Sequence, residues 1–207
     1  MSDSTGMNTL ELGQTMPGTD SSGNLINGQF LGTIKKFTSN RLLNGSSGMK
    51  KIASYGPIYA VVLRNASGGA LLGKRLAKCD QTGGYSIIEK VSGYTTTLYD
   101  APCVAIDPFL PTAGVASNDL FLGIFRGPTI LLTPSAGGDI LVSATVGLPL
   151  VASGDNYGRP TPAAPSDAAT AYQAAYAVFG RALYAWDNTK TDTEQAVYMH
   201  CPWFPSE

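Results

Sequence analysis

The residues closest to a known catalytic pattern are residues 68–75, which read GGALLGKR. This run nearly matches the phosphate-binding loop GxxxxGK[ST], in which backbone amides and a lysine hold phosphates and a hydroxyl binds Mg²⁺. Arg75 stands where that hydroxyl is needed, so the magnesium ligand is missing. The residues that follow, RLAKCDQTGG, are too short and too glycine-rich to form the helix whose N-terminus would hold phosphate. We therefore do not expect nucleotide hydrolysis.

His200 and Cys201 form a second arrangement that could suggest catalysis. His200 is the only histidine, so any Ser-His-Asp or Cys-His mechanism would have to use it. Neighbours on a strand point to opposite faces, so the two side chains cannot easily act on one substrate atom. We predict instead that His200 is an ordinary strand residue and that Cys201 is a small buried residue.

Acidic residues and cysteines give no further catalytic or metal-binding pattern. Asp187, Asp192 and Glu194 cluster on a predicted polar turn, and nothing in the sequence selects a pair of carboxylates for hydrolysis. The three cysteines are odd in number and contain no CxxC pair, which disfavours a disulfide framework or a zinc site. We predict a protein that is not an enzyme and has no cofactor or metal.

Charge is scarce and unevenly distributed. Charged residues make up 14% of the chain, and glycine (24) and proline (13) are abundant, as in β-rich proteins that cover their surface by assembly. Residues 35–78 carry nine basic residues and no acidic one, whereas residues 100–207 carry ten acidic and four basic residues. The basic segment is either a solvated face or a footprint for an acidic partner surface. Nucleic acid is a poor candidate partner, because the net charge is −1.

The sequence shows neither a secretory signal nor an apolar run of the roughly 18 residues that a membrane span needs. With cysteines that form no framework, this favours a soluble protein made in a reducing compartment.

The hydrophobic pattern predicts an all-β fold, a small β-sandwich or β-barrel with at most one short helix. Residues 56–207 would form this domain. Residues 1–55 are rich in Gly, Ser, Thr and Asn and would form an extended N-terminal arm or a flexible leader. A short helical turn is predicted near residues 167–173, followed by a strand through residue 186. Turns are predicted at residues 92–93, 127–128 and 134–138. The other predicted strands cover residues 58–64, 70–79, 85–90, 95–99, 102–107, 120–125, 129–132, 139–143 and 195–200.

Aromatic residues concentrate towards the C-terminus. Trp203 and Phe204 lie beyond the last predicted strand, between Pro202 and Pro205. They either pack in the core or form a hook that docks on a neighbouring subunit.

Six motifs occur in an order that resembles the head decoration (capsid cement) proteins of tailed bacteriophages. The similarity covers about residues 58–200 and leaves the N-terminal arm unexplained. The motifs are LLGKRLAK (71–78), CVAI (103–106), FLGIFRGPTILL (121–132), GGDILV (137–142), GLPLVAS (147–153) and VFGRALYAWD (178–187). The chain departs from the family pattern at Ile106, where a glycine is common, and in its long arm.

The resemblance implies a virion structural protein on the outer head surface, made in the host cytoplasm. Such proteins bind the shell of major capsid protein, often as homotrimers, and stabilise the head. Binding to nucleic acid or membrane is not expected. The alternatives are another virion β-module, such as a tail or head-fibre component, and a small carbohydrate-binding module or hydrolase. We assign Phe30, Lys35, Lys36, Phe37, Arg41, Lys50 and Lys51 as capsid-contact residues, and Trp203 and Phe204 as inter-subunit contacts.

Overall fold

The computed structural model describes residues 10–80, 88–133, 144–153, 157–163, 168–185 and 193–204. These ranges contain ten strands and three short α-helices, so the all-β prediction is confirmed. Single 3-10 turns occupy Gly28–Phe30 and Ala53–Tyr55. The strands are β1 (Ile34–Phe37), β2 (Ile58–Asn65), β3 (Leu76–Cys79), β4 (Lys90–Tyr94), β5 (Cys103–Ile106), β6 (Leu120–Leu132), β7 (Pro149–Ala152), β8 (Pro160–Pro162), β9 (Gly180–Ala182) and β10 (Glu194–His200). The helices are α1 (Ser39–Leu43), α2 (Ser47–Ile52) and α3 (Ala168–Ala177).

Five strands pair in a closed ring, which makes the centre of the molecule a small β-barrel. The order is β2-β4-β3-β5-β6, and β6 returns to pair with β2. All pairs are antiparallel except β2–β4, which is parallel. At Gly123 in β6, an added Cβ would lie 2.7 Å from Leu63 Cδ1 and 2.9 Å from Val104 Cγ2. A residue without a side chain is therefore required where β2, β6 and β5 pack together.

β6 is one continuous strand of 13 residues, so the turn predicted at residues 127–128 is wrong. Its first half pairs with β2 as far as Arg126, and its second half pairs with β10 from Arg126 onwards. Gly127 has φ +100° and passes so close to Pro57 that a Cβ would lie 2.2 Å from the Pro57 carbonyl oxygen. Pro128 lies beyond the residues of β6 that pair with β2. Its missing N–H therefore removes no hydrogen bond from the β2–β6 pair. Gly127 and Pro128 therefore change the direction of β6 without ending the strand.

A second group of strands continues from β6 in the order β10-β9-β7-β8. The predicted helical turn near residues 167–173 is found as α3. The strand predicted through residue 186 is wrong, because α3 reaches Ala177 and β9 contains only Gly180–Ala182. The predicted strand at residues 139–143 and the turn at 134–138 lie outside the described residues.

Two further local predictions are wrong. Residues 92–93 lie inside β4, because this strand must pair with both β2 and β3 to close the ring. Residues 70–75 are not a strand, since Lys74 adopts φ +64° and β3 begins only at Leu76.

The described part of the N-terminal segment, residues 10–55, folds onto the barrel of its own chain. β1 pairs with β2, and Met16 forms a bridge to Leu120. Asp107, after β5, accepts hydrogen bonds from the backbone N–H of Gly13 at 2.6 Å and of Phe109 at 2.9 Å. The apolar residues that this segment buries are Leu10, Leu12, Phe37, Leu42, Ile52 and Ala53. The surface along which the predicted arm lies is thus this barrel, and α1 and α2 form within the arm.

Across the described ranges, no helix is both long enough and apolar enough to cross a membrane.

Candidate interaction surface

The predicted contact residues Phe30 and Lys35 lie at the face of the β1–β2 pair that residues of the N-terminal segment cover. They line a cavity of about 430 Å³ with Leu10, Met16 and Val62. The Lys35 ammonium donates a hydrogen bond to the Leu10 carbonyl oxygen at 2.5 Å. Burial lowers the pKa of Lys35, because the apolar walls disfavour its charged form. Lys35 therefore helps to hold the N-terminal segment in place.

Phe37 is 2% exposed and belongs to the core of its own chain, so it offers no surface to a partner. Arg41 lies over the Phe37 ring, 5.2 Å from its centroid, and forms an ion pair with Glu11. Lys50 and Lys51 are exposed on α2. The predicted capsid-contact residues thus lie in several surroundings, and only some of them are open to a partner.

Lys36 lies on the opposite face of β1 from Lys35 and belongs to a row of side chains across four strands. Lys36 is opposite Tyr59, Tyr59 is opposite Arg126, and Arg126 is opposite His200. Residues directly opposite in neighbouring strands share a face of the sheet. Lys36 Nζ lies 5.1 Å and Arg126 Cζ 5.4 Å from the centroid of the Tyr59 ring. We call these four residues the cation row.

The cation row meets the C-terminal aromatic residues. The Tyr59 ring lies 6.5 Å from that of Phe125, and Phe125 stacks on Phe204 with centroids 4.6 Å apart. Trp203 and Phe204 are partly buried against the core of their own chain. The structure therefore brings two separately predicted residues, Lys36 and Phe204, to one end of the barrel.

A groove of about 460 Å³ adjoins the cation row beside β9 and β10. It includes His200, which also belongs to the row, and Arg181 and Tyr198, which are opposite each other in the β9–β10 pair. Arg181 Nη1 donates a hydrogen bond to the Gly147 carbonyl oxygen at 3.0 Å. The remaining lining residues are Ala175, Val178, Gly180 and Pro202. This β9–β10 groove thus combines apolar walls with two basic side chains and a phenol.

The residues first weighed for catalysis have structural partners. Lys74 of the GGALLGKR run forms an ion pair with Glu194, and Arg75 Nη1 donates to the Tyr157 carbonyl oxygen at 2.9 Å. His200 is an exposed strand residue and Cys201 is buried, as predicted. Asp187 and Asp192 lie outside the described residues.

Burial raises the pKa of all three cysteine thiols, Cys79, Cys103 and Cys201, and so disfavours the thiolate that would act as a nucleophile or metal ligand. Within the ranges that the structure describes, no three His, Cys, Asp or Glu side chains are grouped so that they could hold a metal ion.

Sequence reasoning missed Arg126, Tyr198 and Arg181 as surface residues, and Tyr59 as the buried ring that Lys36 and Arg126 contact. They come from four strands that are distant in the chain, and only the strand register places them side by side. Arg126 lay between the predicted strand at residues 120–125 and the predicted turn at residues 127–128, where no partner strand was expected. No signal in a single sequence specifies such a register.

Comparison with protein-family models and with curated proteins finds no match. Among solved structures, the chain is similar to the head fiber gp8.5 N base of bacteriophage phi29, with 16% sequence identity and a TM-score of 0.37. This similarity covers 69% of the present chain and 93% of the phi29 chain. A likeness at this TM-score supports no statement about function.

Proposed function

We propose that the protein is a non-enzymatic virion structural protein of a tailed bacteriophage. In this proposal it binds the outer surface of the major capsid protein shell and stabilises the head. The observation that carries the proposal is the ordered run of motifs that resembles the head decoration proteins.

The strand assignments agree with that motif order. Motifs at residues 103–106, 147–153 and 178–187 contain β5, β7 and β9, and those at 71–78 and 121–132 overlap β3 and β6 to within one residue at one end. The GGDILV motif at residues 137–142 lies outside the described residues. Each motif within the described residues therefore corresponds to a strand. A resemblance that rests on strands and their turn residues requires this correspondence.

Binding to the assembled shell explains how a protein without catalytic residues would stabilise a head. A ligand that binds the assembled state and not the separated subunits shifts the equilibrium towards assembly. Lys36, Lys50 and Lys51 are exposed basic residues that can contact a shell surface of opposite charge. The low overall charge, 14% of residues, suits a protein that covers part of its surface by such contacts.

The test is sedimentation of empty phage heads that lack the protein, after mixing with the purified full chain. We expect binding that saturates at a fixed number of copies per capsid subunit, and an increase in the melting temperature of the heads. Protein that stays in the supernatant well above micromolar concentration would contradict the proposal. Tail particles and glycan arrays would then test the alternative virion and carbohydrate-binding functions.

The burial of the N-terminal segment determines which variants are suitable for the sedimentation test. Deletion of residues 1–50 would remove Leu10, Leu12, Phe37 and Leu42 from the core, so loss of head binding could reflect unfolding. The double variant Lys50→Gln/Lys51→Gln removes two exposed charges from α2 and leaves the core intact. If α2 contacts the shell, this variant binds heads more weakly than the wild type while its melting temperature stays unchanged.

Assembly as a homotrimer is part of the same proposal. Phe204 stacks on Phe125 within one chain, so Trp203 is the better candidate for an inter-subunit contact. Sedimentation equilibrium of the wild type and of Trp203→Ala would test it. A trimer that weakens in the variant supports the assignment, whereas a monomeric wild type at the concentration that saturates heads rejects it.

A further inference from the structure

The cation row and the β9–β10 groove form one surface. Across strands β1, β2, β6, β10 and β9, it presents the basic side chains Lys36, Arg126, His200 and Arg181 with the phenol of Tyr198, whereas Tyr59 is buried against Lys36 and Arg126. Among the described residues, no carboxylate forms an ion pair with Arg126, Arg181 or His200. Elsewhere on the chain, Arg41, Lys74, Lys78 and Lys90 each have an acidic partner. Arg126 and Arg181 thus lie on this surface without a carboxylate partner among the described residues.

We infer that this surface binds an extended acidic segment of a partner protein. Charge complementarity favours carboxylates, because guanidinium groups donate strong, geometrically defined hydrogen bonds to them. The apolar walls of the groove, Ala175, Val178 and Pro202, can accommodate the aliphatic stem of a glutamate or a small residue next to it. The inference rests on the proposed function only for the source of the segment, the capsid shell.

The dimensions suit a short peptide. Neighbouring strands lie about 4.8 Å apart, so the four steps from Lys36 in β1 to Arg181 in β9 span roughly 19 Å. An extended peptide rises about 3.3 Å per residue, so six residues cover this length, and alternate side chains point to one side about 7 Å apart. Three alternating carboxylates would therefore meet the row and the groove.

An acidic protein segment fits this surface better than nucleic acid does. Lys36 and Arg126 both contact the Tyr59 ring, and that ring is 9% exposed, so it offers no free face on which a base could stack. The chain as a whole carries a net charge of −1, whereas binding to phosphate backbones usually requires a basic domain.

The direct test measures fluorescence anisotropy of a fluorescein-labelled hexapeptide of alternating glutamate and serine, titrated with the full chain in low-salt buffer. We expect saturable binding that the double variant Arg126→Gln/Arg181→Gln weakens by about tenfold or more, since two charge-assisted contacts are lost. The matched control, Lys74→Gln/Lys90→Gln, removes the same charge outside this surface, where both lysines already have an acidic partner, and should change the affinity less than about twofold. Thermal melting of both variants verifies that each is folded.

Three results would overturn the inference. The first is equal binding of the peptide by the wild type and by folded Arg126→Gln/Arg181→Gln. The second is an equal loss in the Lys74→Gln/Lys90→Gln control, which would indicate a diffuse charge effect. The third is tighter binding of a labelled oligothymidine through the same two arginines, which would make the surface a nucleic-acid site.

Sedimentation with empty heads separates this inference from the proposed function. If the wild type and Arg126→Gln/Arg181→Gln both sediment with heads equally, the protein binds heads through another surface and the inference fails. If the wild type does not sediment but still binds the acidic peptide through the two arginines, the capsid proposal fails and the acidic-segment site stands.

Discussion

The two faces of the β1–β2 pair differ in what covers them. On one face, Lys35 donates to the Leu10 carbonyl beside an apolar cavity, and residues of the N-terminal segment lie over the strands. On the other face, Lys36 contacts Tyr59 in a row that continues to Arg126 and His200. Adjacent lysines thus serve different purposes: one holds the chain together, and the other is presented outwards. A basic segment read from sequence is therefore not one surface, because strand alternation divides it between two.

The largest effect on stability is expected from a substitution at Phe37, on the covered face of β1. Phe37→Ala removes a ring that is 2% exposed and should lower the free energy of unfolding by about 3–5 kcal/mol. Urea unfolding followed by far-UV circular dichroism measures the change. Tyr172→Ala is the control, because Tyr172 is 66% exposed, and it should cost less than about 0.5 kcal/mol. Similar costs for both variants would show that Phe37 is not a core residue.

A pH-dependent effect is expected at Asp107, which holds Gly13 of the covering segment. Burial raises the pKa of Asp107 from 3.8 to about 6, although the N–H groups of Gly13 and Phe109 oppose the shift. The unfolded carboxyl releases its proton near pH 4 and the folded one near pH 6, so the folded state binds more protons between these values. Stability from this group therefore falls as pH rises from about 4 to 6, by up to about 3 kcal/mol, and is constant above.

The measurement is the difference in melting temperature between the wild type and Asp107→Asn from pH 4.5 to 7.5. The wild type should lose stability relative to the variant up to about pH 6 and then run parallel to it. Parallel curves over the whole range would mean that Asp107 has an ordinary pKa.

Charge reversal at the two adjacent lysines compares the faces directly. Lys35→Glu places a carboxylate against the Leu10 carbonyl oxygen, near Glu11, and should cost about 2 kcal/mol. Lys36→Glu puts the same charge on the open face, within reach of Arg126, and should change stability by less than about 0.5 kcal/mol. Denaturant unfolding of both variants measures these free energies. Equal losses of stability would mean that the two faces do not differ.

A similarly small effect on stability is expected at Arg126 itself. Arg126→Gln removes a cation that lies over the Tyr59 ring at a partly exposed site, which is worth about 0.5–1 kcal/mol. A loss above about 2 kcal/mol by thermal melting would show that Arg126 has a structural role and is unsuitable as a test of binding.

Several of the strands could be predicted from sequence, because short apolar runs between breakers indicate strands without reference to partners. The prediction of residues 58–64 corresponds to β2, 102–107 contains β5, and 195–200 corresponds to β10. The errors occur where pairing overrides a local signal. Gly127 and Pro128 continue β6 because β10 pairs with them, and residues 92–93 lie within β4 because the ring must close.

The candidate surface was predictable only in part. Lys36 and Phe204 were named from sequence, on the grounds of charge and of an aromatic terminus. That both lie at one end of the barrel depends on Tyr59 and Phe125, which read as ordinary strand residues. Similarly, the burial of Phe37 follows from α1, α2 and β1 folding onto the barrel, a tertiary arrangement that the polar composition of residues 1–55 does not indicate.

The position of β6 between β5 and β2 has a consequence for synthesis on the ribosome. Tyr59 is opposite Arg126, 67 positions later in the chain (126 − 59), so the ring cannot close until β6 has left the exit tunnel. Until then β2 and β5 each have an open edge, which is the part of a nascent β protein most prone to pair with another chain. β10 pairs with β6 and is translated after it, so that edge of β6 stays open for longer still. We therefore expect the covering N-terminal segment, which is translated before β2, to shield β2 until β6 arrives.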